Sequence, residues 1–144
     1  MKLTATAILL AAFTSAPAFA AGDVEAGAKV FNQCQTCHVV KNEAGDVLAG
    51  KVGKLGPNLY GVVGRAAGTY PEFKYGESIV ALGASGFVWD EASLVSYVQD
   101  PGAFLKDKLV DPKARSKMAY KVKKPEDAAN VVAYIASLAP APAN

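Results

Sequence analysis

Residues Cys34-Gln35-Thr36-Cys37-His38 carry two thiols three positions apart, followed directly by an imidazole. That spacing is the attachment signature of a covalently bound haem. The two sulfurs can add across the two vinyl groups on one edge of a porphyrin. The next residue is then held where an imidazole nitrogen reaches the iron. Two other readings compete for a bare C-x-x-C. A dithiol redox pair expects a βαβ context, and half of a zinc site needs further ligands. The chain has 2 Cys and 1 His in 144 residues, too few for zinc. A lone His is ordinarily a packed or solvated residue, but directly after C-x-x-C in an exported chain it reads as the axial ligand.

Export is written in residues 1–20. Lys2 supplies a positive start, Leu3 through Phe13 is almost free of polar groups, and Ala18-Phe19-Ala20 offers the small residues a signal peptidase accepts. The apolar run falls short of the roughly 20 residues that cross a bilayer as a helix. The sequence therefore predicts a cleaved signal peptide over 1–20, a single domain over 21–144 and a periplasmic location. No internal repeat and no second haem motif divides the domain. The Ala-Pro tail from Ala139 to Ala143 is expected to fray.

The domain reads as all-α, helices joined by long Gly-rich loops, with few alternating strand patterns. Asp23 is a plausible cap for a helix whose Val24, Gly27, Ala28 and Phe31 recur at helical spacing. Gly27 is costly inside a helix unless another backbone passes close by. Near the other end, Pro125 suits a first helical turn, Glu126 and Asp127 suit its dipole, and Val131, Val132, Ile135 and Leu138 form one stripe. The two terminal helices are natural partners. Shorter helices are expected at Ser93–Val98 and Gly102–Leu109, broken at Asp100-Pro101.

A haem iron has two axial positions. Besides the initiator, the chain has one Met, Met118. Thioether sulfur opposite imidazole is the ligand pair of electron-transfer haem proteins, where it raises the reduction potential. Met is more commonly a core filler, yet Ser116-Lys117-Met118-Ala119-Tyr120-Lys121 is too polar for a core segment. Met118 is accordingly the candidate distal ligand. A peroxidase-like haem enzyme or a gas-binding sensor stays open as an alternative if Met118 is not bound, although no second His is present to act as a distal base.

With these features in hand the chain resembles the class I c-type cytochromes, and within them the bacterial cytochrome c2 group. The likeness runs through Gly22-Asp23-Val24-Glu25-Ala26-Gly27 to Phe31, Gly56-Pro57-Asn58-Leu59, Gly64-Arg65, Tyr75, Trp89, Tyr97, Asp100-Pro101, Lys117-Met118 and Val132-Ala133-Tyr134-Ile135. The resemblance implies a small cytochrome c fold wrapped round one covalently attached haem c, with thioethers at Cys34 and Cys37 and with His38 and Met118 on the iron. It implies that the Pro57 carbonyl accepts the outer N–H of the proximal imidazole. It also implies that Arg65, Tyr75 and Trp89 hold the propionates, and that Tyr97 hydrogen-bonds near the axial sulfur. Read alone, Gly56-Pro57-Asn58 is only a turn, and these aromatics only core filling. The function implied is a monohaem electron carrier, not an enzyme, running from a membrane cytochrome bc1 complex to a photosynthetic reaction centre or a terminal oxidase. Two departures stand out: the stretch from Gly102 to Lys117 is longer than in mitochondrial relatives, and Tyr120 stands where Phe is familiar.

Charge is unevenly placed. Residues 106–124 hold eight basic side chains (Lys106, Lys108, Lys113, Arg115, Lys117, Lys121, Lys123 and Lys124) against Asp107 and Asp111. The rest of the domain is net acidic. Such a dipole around Met118 can orient a monomer as it approaches an acidic membrane complex. Nucleic acid is excluded as a partner by export and by the lack of aromatic residues interleaved with a basic groove.

Overall fold

In a computed structural model the described residues are 22–51 and 53–140; the signal peptide expected over 1–20 lies outside them. Among these residues, five helices and one small hairpin follow in chain order: α1 Val24–Phe31, β1 Val39–Lys41, β2 Val47–Gly50, α2 Glu77–Ala84, α3 Glu91–Gln99, α4 Pro101–Leu109 and α5 Pro125–Ser137. No helix among the described residues is long and apolar enough to cross a membrane.

The terminal helices pair as their sequences demand. Asp23 accepts the Ala26 N–H at 2.9 Å and caps α1. Gly27 faces α5 so closely that a Cβ built on it would lie 2.0 Å from the Asn130 carbonyl oxygen and 2.7 Å from the Tyr134 Cβ. This close approach is the reason a glycine sits inside the helix. One turn on, Phe31 meets the Tyr134 ring with centroids 5.6 Å apart. Asn130 is buried in the crossing, its side-chain oxygen accepting the Asp23 N–H at 2.7 Å. Val24 lies exposed, so Gly27 and Phe31 form the buried face of α1. On α5, Val131, Val132 and Ile135 are buried and Leu138 is half-buried, as the stripe predicts.

The middle helices begin earlier than the sequence pattern indicates. Asp90 and Ser93 form a reciprocal capping box that starts α3 at Glu91. Asp100, with φ −152°, ends α3 and caps α4, where Pro101 takes the first position. Trp89, Tyr97 and Phe104 form the aromatic centre of the core. Their centroids are 5.0 Å (Trp89–Tyr97), 5.7 Å (Trp89–Phe104) and 5.6 Å (Tyr97–Phe104) apart.

Two elements are additions to the sequence reading. Helix α2, Glu-Ser-Ile-Val-Ala-Leu-Gly-Ala, has no side-chain cap and no clear polar face. Packing creates it: Gly83 lies against Ala67, where a Cβ would come 1.9 Å from the carbonyl oxygen, and Leu82 is buried. The hairpin is too short for a visible alternation and is bulged between Val40 and Lys41. Its turn is held by Asn42, whose side-chain oxygen accepts the Asp46 N–H at 2.8 Å, with Gly45 at φ +93°.

Candidate functional site

Helix α1 stops at Phe31 and the chain continues as tight turns through Cys37, with Cys34 N–H on the Phe31 carbonyl at 2.8 Å and His38 N–H on the Cys34 carbonyl at 2.9 Å. This winding presents both thiols and then the imidazole from one rigid stub. Both cysteines are free and half-buried. Burial, followed by the neighbouring Cys37, pushes the Cys34 thiol up to about 11, so it keeps its proton at neutral pH.

The His38 ring is fixed by its outer nitrogen. Nδ1 lies 2.9 Å from the Pro57 carbonyl oxygen. A carbonyl only accepts, so Nδ1 carries the proton and donates, which leaves the Nε2 lone pair for a metal. Burial lowers the His38 pKa against the opposing pull of the Pro57 bond, favouring the neutral imidazole that ligation requires. Gly56 completes the seat: a Cβ there would lie 2.4 Å from the ring Cε1. Gly56 N–H also binds the Cys37 carbonyl at 2.8 Å, tying the turn to the motif. The requirement for glycine at 56 was invisible in sequence, because only the ring's position reveals it.

Asn58 is the organiser that sequence reasoning passed over as a turn residue. It is buried, accepts the Lys41 and Tyr60 N–H groups at 2.9 and 3.1 Å, and donates to the Lys41 carbonyl at 2.7 Å. Arg65 donates to the Asn58 and Tyr60 carbonyls at 2.9 and 3.1 Å and lies 5.2 Å from the Tyr70 ring centroid. Two of its five N–H groups are thereby engaged and the others remain for a further acceptor. Burial lowers the Arg65 pKa, with Tyr75 and Tyr70 opposing; burial raises that of Tyr75, with Arg65 opposing. Arg65 and Trp89 are brought side by side by an antiparallel bridge, with Trp89 N–H on the Arg65 carbonyl at 3.0 Å and Gly64 N–H on the Trp89 carbonyl at 2.7 Å. Tyr75 packs edge-on against Phe73 at 4.9 Å.

Met118 is half-buried and packs against the same core that receives Cys34. Its segment is irregular backbone between α4 and α5, yet it is tied down repeatedly. Ser116 Oγ accepts the Met118 N–H at 3.0 Å and pairs with the Tyr97 hydroxyl at 3.2 Å. Tyr97 therefore reaches the backbone that carries Met118 through Ser116. Its hydroxyl pKa is raised by burial and lowered by that bond. Lys117 Nζ donates to the Lys74 carbonyl at 2.8 Å, and Lys121 pairs with Asp100 at 2.7 Å. A cleft of about 350 Å³ runs beside Met118, lined by Asp100, Lys106 and Lys121. All eight basic residues of 106–124 are exposed.

The comparisons decide the family. The cytochrome c family model matches residues 24–139. The chain belongs to the cytochrome c family. It is 55% identical to cytochrome c2 of Cereibacter sphaeroides over 135 residues, 92% of this chain and 93% of that one. It is also 55% identical to cytochrome c2 of Rhodobacter capsulatus over 140 residues, 96% of this chain and 98% of that one. Its structure is similar to that of cytochrome c2 from Rhodobacter sphaeroides, with a TM-score of 0.81 and 56% identity across 84% of this chain and 99% of the other. As a class I c-type cytochrome the protein carries one covalently bound haem c and is an electron carrier, not an enzyme.

The residues present fit that group. Two free thiols flank one turn, an imidazole of fixed tautomer follows, and a thioether and spare guanidinium donors border the same core.

Proposed function

We propose that this cytochrome c is a periplasmic shuttle carrying one electron at a time from a cytochrome bc1 complex to a photosynthetic reaction centre or a terminal oxidase. The observation that carries the reading is the His38–Pro57 bond at 2.9 Å set against a tethered Met118, a donor pair suited to saturating an iron. Bound haem supplies the iron that alternates between ferric and ferrous. Cys34 and Cys37 would hold the group covalently through thioether bonds, their S–H groups taken up by its two vinyls. His38 Nε2 and Met118 Sδ would hold the iron. The Pro57 carbonyl keeps His38 oriented and basic, as outer hydrogen bonds to ligating imidazoles do. Arg65, Tyr75 and Trp89 offer donors to the propionates, which need them when buried. Tyr97 and Ser116 hold the segment that presents the thioether. With His38 and Met118 both holding the iron, little would have to move when its charge changes, which favours rapid transfer.

Docking is assigned to the basic face around Met118, with the protein as a monomer and an acidic membrane complex as partner. Lys117 and Lys121 are also tied within the chain, to the Lys74 carbonyl and to Asp100, so Lys123, which has no such tie among the described bonds, isolates the steering contribution.

The test is Met118→Ala in the holoprotein. Its reduction potential should fall, the weak near-infrared band of Met-ligated ferric haem should vanish, and cyanide or imidazole should bind readily. An unchanged potential and spectrum would sink the axial assignment and mean that another residue, such as a lysine of the 113–124 stretch, occupies the iron.

A further inference from the structure

Residues 111–124 contain no helix or strand among them until α5 begins. The hydrogen bonds that join them to other segments run almost all one way. Ser78, Lys74, Tyr97, Val98 and Asp100 receive or give these bonds at 2.7–3.2 Å, and all lie on the side of α2, α3 and the α4 cap. Tyr120 is the exception. Its hydroxyl donates to the side-chain oxygen of Gln33, 87 residues away in sequence. Gln33 directly precedes Cys34, and Tyr120 lies two residues after Met118.

The two anchors differ in stiffness. Gln33 sits in the turn that closes α1, its own N–H on the Val30 carbonyl at 3.0 Å and the next N–H on the Phe31 carbonyl at 2.8 Å. Tyr120 sits on loop backbone and is 44% exposed. A hydrogen bond between a fixed stub and a loop acts mainly on the loop, by removing conformations in which the loop swings away. The geometry points to Tyr120 as a positioning residue: through Gln33 it clasps the Met118 segment to the haem-attachment turn and so restrains departure of the thioether from the iron.

This rests on Met118 being the distal ligand. The clasp opposes a specific motion. For an external ligand to enter, the Met118 segment must move outward, and the Tyr120–Gln33 bond must break as it does. The bonds to Tyr97, Lys74 and Asp100 hold the segment to the other wall and do not span this gap. A phenylalanine at 120 keeps the ring and its packing but has no hydroxyl to donate. The tyrosine therefore gives this chain a restraint that the ring alone does not supply.

The experiment is imidazole binding to the ferric holoprotein in wild type, Tyr120→Phe, Gln33→Ala, the double variant, Gln33→Glu and Met118→Ala. A net hydrogen bond at a partly exposed site corresponds to roughly a threefold to tenfold change in an equilibrium. Tyr120→Phe and Gln33→Ala should each tighten imidazole binding by about that factor, and the double variant should match either single variant instead of multiplying them. Gln33→Glu keeps an acceptor oxygen and should restore wild-type binding. Gln33→Glu should keep the wild-type denaturant midpoint, while the other three clasp variants should lose no more folding stability than that same threefold to tenfold factor, because the bond is absent from the opened and the unfolded states alike; a larger loss would overturn a local clasp. Wild-type binding in the single variants, additive effects in the double, or a Gln33→Glu that behaves as Gln33→Ala would each overturn the clasp. If Met118→Ala binds imidazole no better than wild type, the axial assignment fails; if it binds far better while the clasp variants equal wild type, the clasp alone fails.

Discussion

Val110 should become more stable as glycine, against the usual direction for that substitution. The residue follows α4 in the left-handed region, with φ 52° and ψ 38°. It is the one non-glycine residue with positive φ among those described. The closing bonds define why the backbone turns there: Asp111 N–H reaches the Lys106 carbonyl at 3.1 Å and Val110 N–H the Asp107 carbonyl at 3.2 Å. These are the two bonds of a Schellman ending, whose left-handed position is normally glycine. A β-branched side chain in that conformation costs about 1–2 kcal/mol. The side chain is 89% exposed, so deleting it removes almost no buried area.

Glycine relieves the steric cost and adds back freedom to the unfolded chain worth roughly 0.4–1 kcal/mol. The net is a stabilisation of about 0.5–1 kcal/mol, or a Tm higher by roughly 2–5 °C for a domain of this size. Thermal unfolding of the ferric holoprotein, followed by far-ultraviolet circular dichroism, reads it directly. Val110→Asn, which tolerates the left-handed region, should fall between the two. A glycine variant equal to or less stable than wild type would refute the reasoning, and would mean that the valine makes a contact which its exposure conceals.

Gly27→Ala should do the opposite despite alanine's better helix propensity of about 1 kcal/mol. The new Cβ would meet the Asn130 carbonyl at 2.0 Å, and overpacking of that kind costs roughly 1–3 kcal/mol or more, so a lower denaturant midpoint is expected. Asp90→Ala should cost about 1 kcal/mol at neutral pH through the lost α3 cap. Hydrogen bonds from Ser93 hold the Asp90 carboxyl below its ordinary range. A depressed carboxylate contributes stability that is present above its unfolded pKa and is lost as pH falls through the folded one. The gap between wild type and Asp90→Ala, measured by urea titration, should therefore close on acidification, and a constant gap would contradict it. For docking, Lys123→Glu should slow association with a purified reaction centre or bc1 complex at low salt and lose its effect as salt rises, while Lys29→Glu on α1 changes little. Equal effects at both sites, read by stopped-flow, would leave only net charge as the cause.

The parts legible in sequence were those in which chemistry or periodicity acts locally. Asp23, Pro125 and the α5 stripe announce their helices, and Gly27 announces a close approach before its partner is known. Helix α2 was missed because an uncapped eight-residue segment whose polar residues, Glu77 and Ser78, both sit at its start carries no face to read; its shape comes from Ala67 and its neighbours packing on Gly83. Asn58 was missed for a related reason. A turn asparagine and a buried asparagine that knits Lys41 to Tyr60 look alike until the hairpin folds back upon it.

Charge shows the same limit at the surface. Eight basic residues in 106–124 read as one uniform field, but the structure divides them. Lys117 reaches the Lys74 carbonyl and Lys121 reaches Asp100, so both hold the Met118 segment in place. Reversing either charge would therefore perturb two things together, the field a partner meets and the seat of the proposed ligand. A substitution such as Lys121→Glu should slow docking and also loosen the loop, because it sets two carboxylates against each other where one ion pair stood. Lys123 has neither tie among the described bonds, which makes it the cleaner probe of steering. The ionic-strength series separates the two causes: a steering defect fades at high salt, whereas a loosened Met118 segment persists in the spectrum at any salt.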